Sequence, residues 1–382
     1  MPTYNVAPLL LIKEKKNLIQ RFHEKLTRNK REKAKQNHHS KRSPQWCGIT
    51  IHVAENCPYS CTYCYITEMG FQFDSPSPSP LSGNQLVFSL LHNRSFLPGR
   101  GGTLIAMGSV SDPFLLPEKT LNYLDALTSL GNPVQFSTKS YISENLARRI
   151  KEVSEENKSG VSPLVTIVSF SYASKLEPNA PTPEQRLKTI ENLANADLQP
   201  VLFLRPVIPG VNDEEAKLIM KRAKKAGAKG VVVGSFRVTK AISTRLEGMG
   251  IPLVEVKKRV QHKLDARQRS VPLYEREKLL KEARNIGLIP WRTTCCANSF
   301  QSSVPCPSAC FLGKFCTNCP NGCSISDHVP PKDEVEKALT FLRIRGNVQK
   351  RKVIVYSSGT RVPKMLVRNL SRRVVEVSHR NI

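Results

Sequence analysis

The 382-residue sequence predicts an α/β protein whose core is a partial barrel of six βα units, followed by a Cys-rich C-terminal extension. Three observations carry that reading. Short apolar, β-rich runs recur between residues 49 and 235, and after a first interval of 54 residues their starts lie 30, 31, 36 and 29 apart, the period of a strand with its returning helix. The runs are apolar throughout, as parallel strands covered on both faces are. Helix starts fall between them: Thr182-Pro183-Glu184-Gln185 and Asn212-Asp213-Glu214-Glu215 each place a capping residue three positions before Gln or Glu.

The expected strands are Ile49–Ala54, Thr103–Gly108, Pro133–Thr138, Leu164–Tyr172, Pro200–Pro206 and Lys229–Ser235. A doubly wound sheet is the competing architecture, yet no GxGxxG follows the first strand and no GxxxxGK-Ser/Thr loop occurs. Within the long first interval, "SPSPSP" at 75–80 reads as an extended loop. Past the sixth strand, Leu273–Ile286 reads as a helix ended by Gly287, and short β-like pieces follow at Val353–Tyr356 and Val374–Val377. The chain therefore divides into a basic N-terminal extension (1–45), a core (46–240), a completing segment with a helix (241–290), a Cys-rich second metal-binding segment (291–328) and a basic C-terminal segment (329–382).

Charge is concentrated at the two ends. Residues 1–45 carry 12 basic and 3 acidic side chains, and residues 329–382 carry 13 and 4, so each end holds +9 of the total +27. Residues 46–240, with 20 basic and 17 acidic, are close to neutral. A neutral core with basic ends is the pattern of a working domain that meets a polyanion, and nucleic acid is the expected partner. Solvated basic tails are the plainer alternative. No apolar run approaches the roughly 18 residues of a membrane helix. The apolar patch Val6–Ile12 precedes its lysines and lacks a cleavage site, which argues against a secretory signal. Eleven cysteines without such a signal point to metal ligation in the reducing cytoplasm rather than to disulfides.

Three of those cysteines, Cys57, Cys61 and Cys64, stand in a C-x3-C-x2-C run with Tyr63 before the last, just past the first expected strand. An iron–sulfur cube normally takes four thiolates. Three leave one iron open to bind and reduce a ligand, as a catalytic zinc keeps one position free. A zinc knuckle with a distant fourth ligand is the other reading.

The run "CPYSCTYC" after strand one of such a core resembles the radical S-adenosylmethionine (SAM) superfamily. "GSVSDPF" after strand two, "STKS" after strand three and "LRPVIPGVNDEE" around strand five resemble its spore photoproduct lyase-like group. The resemblance covers roughly residues 46–240 and implies a TIM-like partial barrel of the radical SAM type. It implies a 4Fe-4S cluster on Cys57, Cys61 and Cys64, with Tyr63 shielding it or packing on the adenine side. The family's glycine-glycine-glutamate-like run for the methionine amine is replaced by Gly108-Ser109-Val110-Ser111-Asp112, so backbone carbonyls and the Ser111 or Asp112 side chain take that place. Lys139, and Ser169 or Ser171, are candidates for the cofactor carboxylate and ribose. The implied chemistry is reductive cleavage of SAM to methionine and a 5'-deoxyadenosyl radical, fed by a reductant such as flavodoxin or ferredoxin. The protein orients the radical and excludes water and oxygen.

A second group, "CCANSFQSSVPCPSACFLGKFCTNCPNGC", holds seven cysteines in 29 residues. Four of Cys306, Cys310, Cys316, Cys319 and Cys323 are expected to hold a second Fe–S cluster or a zinc ion, with His328 as a further possible ligand. Cys295 and Cys296 are candidate hydrogen-atom donors near the substrate. Three functions follow: a radical SAM enzyme of lyase or transferase type acting on nucleic acid (DNA repair or RNA base modification), the same chemistry on a protein or small molecule, or a zinc-dependent nucleic-acid binder. The intact triad speaks against the last.

Overall fold

The computed structural model describes residues 7–45, 48–304, 329–350, 352–357 and 363–378. Its centre is one parallel sheet of seven strands in the spatial order β1 (Ile49–Ile51), β2 (Ile105–Met107), β3 (Val134–Thr138), β4 (Val161–Thr166), β5 (Val201–Val207), β6 (Gly230–Ser235) and β7 (Ile289–Trp291). Helices pack around it. Both β1 and β7 pair on one side only, so the barrel stays open between them.

All six expected strands are present, with three departures. The seventh, β7, was not expected because Pro290 interrupts its apolar pattern; proline is tolerated here because β7 is an edge strand paired with β6 alone. Strand β4 starts at Val161, three residues early, since Ser162-Pro163 disguises its beginning. It also ends at Thr166, which leaves Ser169 and Ser171 beyond the sheet. The expected first strand splits, and Ala54–Glu55 pairs antiparallel with Ser77–Pro78, so the proline-rich run is extended as anticipated.

Thr182 forms the expected capping box with Gln185 at the start of helix Pro183–Asn195. Asn212 does not cap a helix. Its buried amide accepts from the Ile208 N–H (2.6 Å) and donates to the carbonyls of Val168 (2.7 Å) and Pro206 (3.0 Å), bolting the turn after β5 to the segment after β4. The next helix begins later, at Ala216.

The pleat sorts the strand residues into two sets. Ile49, Ile51, Ile105, Val134, Phe136, Val165, Leu202, Leu204, Val231 and Val233 enter the apolar core between sheet and helices. The alternate set, including Thr50, Ala106, Gln135, Ser137, Thr166, Phe203 and Arg205, lines the interior. Most of these are small or polar, so the interior is not filled, and a cavity of about 300 Å³ remains. Helix Thr294–Gln301 packs against β4 and β7 through a cluster of Leu164, Val201, Val232, Trp291 and Ala297.

Both basic ends fold onto this core. Helices Pro8–Lys25 and Arg28–Gln36 lie on helix Gly83–His92, and Leu18, Phe22, Leu26 and Ala34 join the main core. At the other end, β8 (Gly346–Val348), β9 (Lys352–Tyr356) and β10 (Val374–Ser378) form a small sheet that includes both expected β pieces. With helices Lys332–Phe341 and Lys364–Ser371 it encloses a core of Val335, Leu339, Val348, Val353, Val355 and Val367. This unit meets helix Pro8–Lys25 through Ile12, Leu97, Ala338, Leu366 and Leu370. Among the described residues no helix is long and apolar enough to cross a membrane.

Candidate functional site

Residues 56–64 leave the C-terminal side of β1 as a loop with two left-handed residues, Asn56 (φ 67°) and Ser60 (φ 51°), which turn the backbone around the cysteines. The loop is held from outside. Cys57 donates its N–H to the Gln72 carbonyl (3.1 Å), whose own N–H returns to Asn56 Oδ1 (2.8 Å). Thr62 donates its N–H to the Leu176 carbonyl (2.9 Å). The Arg245 guanidinium, from helix Lys240–Gly248, donates to the carbonyls of Thr62 (3.2 Å) and Cys64.

Burial pushes the Cys57 and Cys64 thiols up, and that of Cys61 up to about 12. Metal binding here therefore displaces protons.

Facing the cysteines across a cavity of about 80 Å³ is the turn Gly108–Asp112. Gly108 has φ +96°, and a Cβ there would stand 2.4 Å from the Ser137 carbonyl oxygen, so only glycine fits. The hydroxyls of Ser109 and Ser111 are buried, line this cavity and have no hydrogen-bond partner. Orphaned buried hydroxyls are costly unless a ligand satisfies them. They fit the polar amino-acid end of SAM. Asp112 is differently engaged: its carboxylate accepts from Thr138 Oγ1 (2.8 Å), the Lys139 N–H (2.6 Å), Ser140 Oγ (2.9 Å) and the Phe114 N–H (3.0 Å). It braces the turn after β2 against the end of β3.

Lys139 lines both cavities. Its Nζ lies 3.8 Å from Glu177 and 5.7 Å from the centre of the Tyr63 ring. Burial alone would draw the Lys139 ammonium down; Cys61 and Glu177 beside it turn the net shift upward. Glu177 is fully buried and pairs with Arg186, also buried, while Tyr63 donates its hydroxyl to the same carboxylate. Burial, with Glu177 next to it, pushes the Tyr63 phenol well above its usual value, so it remains a donor. Arg186 also donates to the carbonyls of Pro181 (2.7 Å) and Thr166 (3.2 Å).

The structure thus brings Cys57, Cys61, Cys64, Gly108, Ser109, Val110, Ser111, Asp112 and Lys139 around one cavity, with Tyr63 in the wall of the larger one. Ser169 and Ser171 line neither. Ser169 Oγ and the N–H groups of Phe170 and Ser171 all donate to the Glu215 carboxylate at 2.7–3.0 Å. Thr294 lines the larger cavity, and both neighbouring sulfurs, of Cys295 and Cys296, contact the Thr293 hydroxyl at 3.1 and 2.9 Å. Cys306, Cys310, Cys316, Cys319, Cys323 and His328 lie outside the described residues.

Sequence reasoning missed Glu177, Arg186, Arg205 and Arg245. None carries a local spacing signal, because each acts through a partner brought near only by the fold.

Residues 51–223 match the model of the Radical SAM superfamily. The matched stretch takes in the cysteine triad, the Gly108–Asp112 turn and Lys139. Uncharacterized proteins of Mycobacterium bovis and Mycobacterium tuberculosis are 23% identical over 195 residues, covering 48% of this chain and 57% of theirs. The chain therefore spans little more than half the length of the curated relatives it matches. Solved structures similar in fold include a point variant of spore photoproduct lyase, 16% identical with a TM-score of 0.49 over 63% of this chain and 75% of that one. A double variant of that lyase, with AdoMet and a dinucleoside spore photoproduct bound, is 16% identical with a TM-score of 0.48 over 64% and 76%.

Proposed function

We propose that the protein is a radical SAM enzyme acting on nucleic acid, in DNA repair or RNA base modification. The observation that carries the chemistry is the thiol triad, buried at Cys61 and half-buried at Cys57 and Cys64, facing the unpartnered Ser109 and Ser111 hydroxyls. Cys57, Cys61 and Cys64 would hold the cluster, Ser111 and the Gly108–Val110 backbone the methionine amine, and Lys139 the carboxylate. When bound, the two groups supply reductive cleavage of SAM and a 5'-deoxyadenosyl radical that abstracts hydrogen. The chain's part is to keep that reaction dry and oriented. Asp112 fixes the amine-binding turn, Glu177 fixes Lys139 and Tyr63, and Arg245 fixes the cluster loop. Four of the five cysteines at 306–323 would hold a second Fe–S cluster or zinc, and a flavodoxin or ferredoxin would deliver the electron.

Ser111→Ala and Ser109→Ala are each expected to weaken SAM binding to the reconstituted protein roughly three- to tenfold, the worth of one hydrogen bond to a charged or polar group. Calorimetric titration with SAM tests this. Affinity unchanged in both variants would remove the turn from the site.

Nucleic acid is favoured by where the N-terminal charges lie. Barrel helices run opposite to their strands, so the start of helix Gly83–His92 is on the mouth side. Gln85 Nε2, at that start, donates to the Lys30 carbonyl (3.2 Å), while Lys15 Nζ reaches the Asn93 and Phe96 carbonyls (2.6 and 2.8 Å) at the far end. The turn between the first two helices, with exposed Lys25, Arg28 and Lys30, therefore sits at the rim of the mouth.

Part of the basic C-terminal segment lies at the opposite end. Arg372 donates to the Gly101 carbonyl, ahead of β2 and so at the base of the barrel. Arg373 donates to the carbonyls of Gln349 (2.9 Å), Pro330 (3.0 Å) and Ser371 (3.0 Å). Arg368, Arg372 and Arg373 are all buried. These three of the segment's 13 basic side chains are thus closed to a polyanion, whereas Lys332, Lys337, Arg343, Arg345 and Lys350 are exposed.

Replacing Lys25, Arg28, Lys30 and Lys33 with Gln is expected to flatten the salt dependence of polynucleotide binding by about 0.9 in log–log slope for each side chain that met a phosphate. Fluorescence anisotropy on DNA and transfer RNA at several salt concentrations measures it. An unchanged slope would place the track elsewhere.

A further inference from the structure

We propose that Arg205 and Arg237 form a phosphate-binding subsite in the wall of the larger cavity, where a backbone phosphate of the polynucleotide substrate fixes the nucleoside presented to the cofactor. The proposal deepens the reading of the protein as an enzyme acting on nucleic acid and rests on it. Arg205 occupies an inward position of β5, and Arg237 follows the end of β6, the next strand. Gly234 on β6 makes room for the Arg205 stem: a Cβ there would stand 2.5 Å from Arg205 Cδ and 2.6 Å from Cγ. The backbone of one strand is thus cut back so that a guanidinium on its neighbour can lie along it and enter the cavity.

No Asp or Glu is among the described residues that line this cavity, whereas Lys139, Arg205 and Arg237 all do. Charge is crowded behind them as well. Arg276 has a buried Nε without a hydrogen-bond partner; burial first, then Arg292, draws its guanidinium down, while Glu277, which pairs with Arg292 (2.6 Å), acts the other way. The cations on the cavity wall itself, Lys139, Arg205 and Arg237, call for an anion, and the planar fork of arginine matches two oxygens of a phosphodiester.

Two anions could be meant, the carboxylate of SAM or a phosphate of the substrate; the two cavities adjoin through Cys64, Gly108, Ser109, Ser137, Lys139 and Thr166, and the arginine pair lies on the far side of that seam. The amino-acid end of SAM must reach the cluster in the smaller cavity, which is lined by the three cysteines, Ser109, Ser111 and Lys139. Arg205 and Arg237 line the larger cavity and not the smaller. Lys139, common to both, serves the cofactor; the arginine pair is left for the substrate.

The test uses the full-length reconstituted protein and short single-stranded DNA and RNA oligonucleotides, each also made with one internal phosphate replaced by a neutral methylphosphonate and scanned along the strand. Arg237→Gln is expected to weaken binding of the all-phosphate strand about tenfold, as loss of a charge-assisted hydrogen-bonded pair does. Arg205→Lys, which keeps the charge and loses the fork, should weaken it less. At one methylphosphonate position the wild type should lose the same factor, and Arg237→Gln should then lose nothing more. Variants that match the wild type on every strand overturn the subsite and leave the nucleic-acid reading standing. Variants that weaken SAM binding and not oligonucleotide binding assign the pair to the cofactor, which also overturns the subsite and spares the nucleic-acid reading. A wild type that binds none of the strands overturns both.

Discussion

Replacing Cys57, Cys61 and Cys64 together with alanine is expected to abolish 5'-deoxyadenosine formation while leaving the fold in place. The loss should be complete because three local thiolates are the fewest that can hold a cube with one open iron, and no other described cysteine lines the smaller cavity. The fold should persist because the loop's backbone is held by Leu176, Gln72 and Arg245, none of which depends on the sulfurs. Anaerobic reconstitution with iron and sulfide, iron counting and a 5'-deoxyadenosine assay measure the outcome. Product at the wild-type rate from the triple variant would sink the assignment. The same preparation reports on the second cysteine group: a triple variant that retains neither iron nor zinc would show that residues 306–323 hold no independent site.

Glu177→Ala is expected to lower stability by about 3–5 kcal/mol, among the largest effects a single substitution can have. The carboxylate and the Arg186 guanidinium are 0% and 1% exposed, so removing the anion leaves a cation buried with only carbonyl partners. It also releases Tyr63 and leaves Lys139 without its counter-charge. Replacing both partners, Glu177→Leu with Arg186→Met, should recover part of the loss because the buried unpaired charge is gone. Thermal unfolding of the protein without its cluster gives the comparison. A loss below about 1 kcal/mol in the single variant would mean that water reaches the pair.

Much of the barrel was legible because its signal is local and repeated. Six apolar runs announce six strands, and Thr182 with Gln185 announces a helix start within four residues. The triad was legible for the same reason, all its ligands lying within eight positions of sequence. What escaped was what the fold assembles. Pro290 masked an edge strand whose apolar partners come from β6, and Asn212, which looks like a cap, finds better partners in two carbonyls of neighbouring segments. Net charge also overstates the surface of residues 329–382, since a count of arginines does not distinguish Arg372 and Arg373, buried on carbonyls, from exposed Lys332, Lys337, Arg343 and Arg345. The buried Glu177–Arg186 pair crosses from a loop into a helix and has no motif of its own.

The anchoring of the cluster loop sets an order of assembly. Its backbone is secured by a carbonyl 114 residues downstream, at Leu176, and by a guanidinium 181 residues beyond Cys64, at Arg245. During synthesis the three thiols leave the ribosome long before either clamp exists, and contacts this distant in sequence form late because the intervening chain must close first. A cluster delivered to the nascent chain would meet thiols with no fixed spacing. If the triad holds a cluster as proposed, loading it would therefore follow folding of the barrel, and whatever delivers the iron would meet a finished surface rather than a short cysteine-bearing peptide.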